Sequence, residues 1–131
     1  MLAGHQNARI LVAEDDLEMA RMLDKVLRRT GVSVVVVNDG RSALEAARDS
    51  IFDVVVTDND MPFMDGVALV TELRRVPAYA KTPMILFTGS GRHEFPGLDA
   101  IGLEYMDKTD LVELIDRVDE LVAGLSDGFH P

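Results

Sequence analysis

Asp53-Val-Val-Val-Thr-Asp-Asn-Asp-Met-Pro-Phe-Met-Asp-Gly66 is a short apolar run that ends in acids, turns, and restarts as a helix. The run Val54 to Val56 is continuous and β-branched, which suits a strand covered on both faces rather than one that alternates toward water. Asp58, Asn59 and Asp60 follow at once, and Asp65 before Gly66 reads as the start of a helix carrying Val70 and Leu73.

Working outward, the same unit recurs. Apolar runs at Ile10 to Ala13, Val34 to Val37 and Met84 to Phe87, with a weaker one at Leu103 to Met106, flank the central run. Between them lie segments of helical period: Leu17, Ala20, Leu23 and Leu27; a weaker one over Ser42 to Arg48; and Leu111, Leu114, Ile115, Val118, Leu121, Val122 and Leu125, with Asp110 and Glu113 spaced as a capping box. This alternation implies an α/β fold with a doubly wound, five-stranded parallel sheet. The flavodoxin-like order 2-1-3-4-5 fits, with the site at the carboxyl ends of the strands. Where a fourth helix should lie, Gly89, Gly91, Pro96, Gly97 and Gly102 crowd the chain, so that helix is expected to be short or irregular.

The 131 residues fit one domain over 1–131, with a core of about 8–125 and a loose tail at 126–131. The chain has no cysteine, which excludes disulfide scaffolds, thiolate zinc sites and cysteine nucleophiles. A formal net charge of -10 argues against a direct grip on nucleic acid. No apolar run approaches membrane-spanning length, and the opening Met1-Leu-Ala-Gly-His-Gln-Asn-Ala-Arg9 lacks a signal-peptide core, so a cytoplasmic protein without a membrane partner is expected. His5, His93 and His130 are scattered and read as surface residues.

Chemistry collects at the strand ends. Glu14, Asp15 and Asp16 follow the first strand, Asp58 and Asp60 the third, Thr88, Gly89 and Ser90 close the fourth, and Lys108 follows the fifth. Like charges at about 4 Å in an effective dielectric of ~20 repel by about 4 kcal/mol, so the carboxylates need a proton or a cation. An all-oxygen set favours a hard ion, and Mg²⁺ fits best. An ammonium, a hydroxyl and a metal around one carboxylate make a receptor for a phosphoryl group, with that carboxylate as nucleophile. Each piece alone has a plain reading: Asp16 as a helix cap, Thr88 as a structural strand end, Lys108 as a solvated loop residue. Together they are hard to attribute to chance.

Ile10-Leu-Val-Ala-Glu-Asp-Asp16, the segment Asp53 to Gly66, Ile85-Leu-Phe-Thr-Gly89 and Tyr105-Met-Asp-Lys108 resemble, in combination, the response-regulator receiver domains of two-component signalling, over roughly Ala8 to Leu125. The resemblance implies that Asp58 is the phosphoacceptor, served by a histidine kinase or histidine phosphotransfer protein, and that the modified form acts on a downstream protein target. It implies Mg²⁺ held by Glu14 (through water), Asp15, Asp58 and the Asp60 carbonyl. It also implies that Thr88 and Lys108 contact the phosphoryl oxygens, that Thr88 and Tyr105 form the switch, and that the chain is a regulator rather than an enzyme. For Tyr105 plain core packing is the alternative. Asp60 and Ser90 are expected to tune the lifetime of the acyl phosphate.

Two departures stand out. Thr109 follows Lys108 where the family pattern has a proline, leaving the Lys108–Thr109 peptide open between cis and trans, and the Gly-rich stretch after Thr88 disturbs the usual output surface. Two other readings use the same residues: a non-phosphorylated pseudo-receiver, and a phosphatase of haloacid-dehalogenase type that forms a phosphoaspartate at Asp58-Asn-Asp60.

Overall fold

A computed structural model describes residues 8–127 of the chain. Five parallel strands, β1 (Arg9–Ala13), β2 (Ser33–Val37), β3 (Val54–Thr57), β4 (Met84–Thr88) and β5 (Leu103–Asp107), lie in the order β2-β1-β3-β4-β5. Four α-helices connect or follow them among the described residues: α1 (Leu17–Arg28), α2 (Gly40–Asp49), α3 (Gly66–Leu73) and α4 (Leu111–Asp127).

The continuous apolar runs have the reason expected of them. Ile10, Val12, Val54, Val56, Ile85 and Phe87 face one side and pack with Leu23 and Leu27 of α1 and Leu114, Val118 and Val122 of α4. Leu11, Ala13, Val55, Met84 and Leu86 face the other side, against Ala43 and Ala47 of α2 and Leu69, Val70 and Leu73 of α3. Every inner strand residue therefore removes apolar surface from water, each large one contributing about 1.5–3 kcal/mol. Helix starts are set by aspartates. The Asp16 carboxylate accepts from the Glu18 and Met19 N–H groups, Asp39 from Ser42, and Asp65 from Ala68.

One expectation needs correction. Leu17, placed on the buried stripe of α1, is 55% exposed, because it is the first residue of the helix and lies beyond the end of the core. Helix α4 runs to Asp127, and 128–131, most of the expected tail, lie outside the described residues. His5 and His130 also lie outside them; His93 is exposed as expected.

The β4–β5 connection bears out the expected irregularity. No α-helix forms there; two 3₁₀ turns, Arg92–Glu94 and Leu98–Ile101, take its place. Pro96 lacks an N–H and Gly97 (φ 85°) and Gly102 (φ 60°) adopt left-handed backbone, so a continuous helix is disfavoured. One buried side chain, Leu98, plugs this crossover into the core. Its far end is tied by Arg74, at the carboxyl end of α3, whose guanidinium donates to the carbonyls of Tyr79 (2.7 Å), Thr82 (2.8 Å), Ile101 (2.8 Å) and Gly102 (2.9 Å).

Candidate functional site

The parallel sheet delivers the carboxyl ends of β1, β3, β4 and β5 to one edge, and the acids, hydroxyl and ammonium gather there. Asp58 follows β3 directly, and its N–H donates to the Ala13 carbonyl at 2.9 Å, extending the ladder and fixing Asp58 beside Glu14. The Asp58 carboxylate is turned by its own neighbour, Oδ1 accepting from the Asn59 N–H at 2.8 Å. Thr57, unremarked in the sequence reading, is fully buried and donates its hydroxyl to the Asp58 carbonyl at 2.7 Å. A threonine closing an apolar strand gives no sequence signal for that contact.

The turn after Asp58 is built on close approach. A Cβ on Gly66 would lie 2.3 Å from the Asp58 carbonyl oxygen, so only glycine lets α3 begin against that backbone. Asn59 completes the join, its carbonyl accepting from Gly66 N–H (3.0 Å) and its side-chain oxygen from Val67 N–H (3.1 Å).

Lys108 reaches the centre. Its Nζ lies 2.9 Å from Glu14 Oε1 and 3.0 Å from Asp58 Oδ2, bridging two buried carboxylates. The Lys108–Thr109 peptide is trans, as is every peptide among the described residues, so the lysine reaches Asp58 without a cis bond. Burial pushes the Glu14 carboxyl above its ordinary value even though Lys108 and the Asp16 N–H bond its oxygens. Burial alone would lower the Lys108 ammonium, but its bonds to Glu14 and Asp58 outweigh that and hold it above its ordinary value.

Oxygens of Glu14, Asp15 and Asp58 all lie within 4.8 Å of one another. Glu14 and Asp58 are buried and Asp15 is exposed, so a cation there would have a solvent-facing side. A three-carboxylate oxygen set with room for water suits a hard divalent ion of the Mg²⁺ type. The Asp60 carboxylate is not in that cluster; it is exposed, with the Asn59 amide 3.4 Å away. Asp16, as read, is a helix cap.

Thr88 ends β4, nearly fully buried, and the Ser90 N–H points at its hydroxyl from 3.4 Å. A Cβ on Gly89 would touch nothing within 4 Å, so the space beside Thr88 is open. Tyr105 sits in β5, half-buried, with its hydroxyl donating to the Ser90 carbonyl at 2.7 Å and its ring tilted against Phe95 at 6.5 Å. It thus packs against the core beside Phe95 and also links the strand to the start of the crossover.

Comparisons with known proteins accord with this arrangement. The family model of the response regulator receiver domain matches residues 10–119. The transcriptional activator protein PfeR of Pseudomonas aeruginosa is 38% identical over 117 residues, covering 87% of this chain and 37% of that protein, so the chain spans well under half the length of that relative. Among solved structures, a Francisella response regulator receiver domain superposes with a TM-score of 0.80 at 31% identity, covering 91% of this chain and 99% of that one. The response regulator TrrA of Thermotoga maritima, in complex with Mg²⁺ and BeF, superposes with a TM-score of 0.77 at 27% identity, covering 87% of this chain and 98% of that one. A family match that begins inside β1 and ends inside α4 agrees with the strand order seen in the structure: the chain belongs to the response regulator receiver domains of two-component signalling.

Proposed function

We propose that this receiver domain takes a phosphoryl group from a partner's phosphohistidine onto Asp58, with Mg²⁺, and that the modified form presents a changed surface to a downstream protein. The observation that carries the reading is the placement of Lys108 Nζ between Glu14 and Asp58 beside a third carboxylate, Asp15. In the transfer, a P–O bond to an Asp58 oxygen forms as the donor's P–N bond breaks, and the imidazole leaves with the electron pair. Glu14, Asp15, Asp58 and the Asp60 carbonyl would hold the cation, which when bound neutralises charge on the phosphoryl oxygens. Lys108 already touches Asp58 and needs only to turn from carboxylate to phosphoryl oxygen. Thr88 offers a hydroxyl toward open space, and Tyr105, through Ser90, ties the crossover to that movement.

On this reading the chain is a cytoplasmic phosphoacceptor regulator that assists only its own modification. The pseudo-receiver reading is disfavoured by the acceptor, the acidic cluster and the lysine all standing in contact distance. Incubation with acetyl phosphate and Mg²⁺, followed by intact-mass measurement, tests it. A gain of one phosphoryl group that disappears when the cation is chelated is expected; an equal gain without Mg²⁺, or none in folded protein, would contradict it.

A further inference from the structure

The lysine that bridges Glu14 and Asp58 sits on a turn with an unusual set of ties. Asp107 closes β5, paired with Thr88. The Lys108 N–H donates to the Thr88 carbonyl at 3.0 Å, and the Asp110 N–H to the Asp107 carbonyl at 2.9 Å. Between them, the Thr109 N–H (2.9 Å) and the Thr109 hydroxyl (2.7 Å) both donate to Asp107 Oδ1. Three consecutive amides, 108 to 110, are therefore bound, and the central one is held by a side chain that lies next to the lysine in sequence.

This matters because a lysine is a poor positioning device by itself. Its four-carbon stem carries about 2 kcal/mol of rotamer entropy, and its ammonium bonds without directional preference. Reaching two buried carboxylates at once requires the Cα to be fixed, and a trans Lys108–Thr109 peptide in an exposed loop does not fix it unaided.

We propose that Asp107 is a positioning residue for the phosphoryl-transfer site: by accepting both Thr109 bonds it locks the Lys108 turn and so aims the ammonium at Asp58 and Glu14. The Asp107 carboxyl is held below its ordinary value, first by the Thr109 N–H and then by the Thr109 hydroxyl, as a charge-assisted acceptor of two bonds should be. Thr109 is the matching donor pair, which gives its occurrence after the lysine a physical purpose. The inference rests on the proposed role of Asp58 and Lys108, and it adds a residue that touches neither acceptor nor cation.

Two readouts on Asp107→Ala and Asp107→Asn test it, in full-length protein whose fold is checked by circular dichroism. The first is carbon-13 relaxation at the Lys108 Cε, without phosphodonor or metal. Asp107→Ala is expected to free that methylene, whereas Asp107→Asn, whose Oδ1 still accepts from Thr109, keeps it as ordered as in the parent. The second is the rate of phosphoryl gain from acetyl phosphate with Mg²⁺. A fall of about tenfold is expected for Asp107→Ala, within the range that misplacing a catalytic group by ~1 Å produces, with the Asn variant near the parent rate. A Lys108 equally ordered in parent and Asp107→Ala would overturn the proposal, as would an Asn variant as slow as the Ala variant. If the parent gains no phosphoryl group, the functional reading fails, and the relaxation data alone decide the Lys108 question.

Discussion

Glu14 carries the clearest electrostatic consequence at the scale of single residues. Its folded-state pKa lies above the ordinary 4.5 because burial penalises the charged form. The folded chain thus holds this proton more tightly than the unfolded one. The group's stabilising contribution is complete below about 4.5 and is lost as pH rises through the raised value. In magnesium-free buffer, the denaturation midpoint of the parent should therefore gain more than that of Glu14→Gln as pH is lowered from about 7.5 toward 5. Identical slopes would contradict the assignment. Asp60 supports a kinetic prediction. On the proposed function, its exposed carboxylate, two residues past Asp58, takes a proton from water attacking the acyl phosphate. Asp60→Asn should lengthen the half-life of that phosphate by about threefold or more, less than a fully placed general base delivers. An unchanged half-life would exclude the role. The residues that sequence reasoning found were those whose chemistry is unusual at a strand end: Asp58, the acidic pair, Thr88 and Lys108. Those it missed work through backbone. Thr57 bonds the Asp58 carbonyl, and Asp107 bonds Thr109, contacts that residue type and spacing do not announce.

Secondary-structure elements were legible wherever apolar period and punctuation agreed. The strands begin and end within one residue of the apolar runs, because both faces of the sheet are covered and the sequence must stay apolar throughout. The aspartates that open α1 and α3 are equally readable, since they satisfy amides that the helix leaves open, whereas Asp39, which opens α2, was not read from the sequence. The β4–β5 crossover was legible only as a disruption. Its glycines and proline rule out a regular helix, but nothing in them foretells that an arginine on α3 would secure the result. Arg74 binds four carbonyls from two loops, and burial lowers its guanidinium from the ordinary value without removing its charge. Arg74→Ala should destabilise the fold by about 2 kcal/mol, given the net worth of hydrogen bonds to a charged group. It should also raise amide hydrogen exchange across residues 92–102 more than elsewhere. Unchanged protection in that segment would show that Leu98 alone anchors it.

The whole molecule combines a densely apolar sheet with a surface of net charge -10 and a single edge where buried acids meet a lysine. None of the described helices is long and apolar enough to cross a membrane. Fold order and site position were both accessible from the alternation of elements, because a doubly wound parallel sheet places all strand carboxyl ends on one edge. The path of residues 89–102 was not, since it depends on how Arg74 and Leu98 hold that segment as well as on its glycines and proline. The central claim is that Asp58, and no other acid of that edge, carries the phosphoryl group. It is tested most directly by treating the protein with acetyl phosphate and Mg²⁺, reducing the acyl phosphate with borohydride, and locating the resulting homoserine by tandem mass spectrometry. Homoserine at position 58 alone, absent from Asp58→Asn, is the predicted result; homoserine at position 15 or 60, or persistence of the product in Asp58→Asn, would contradict it.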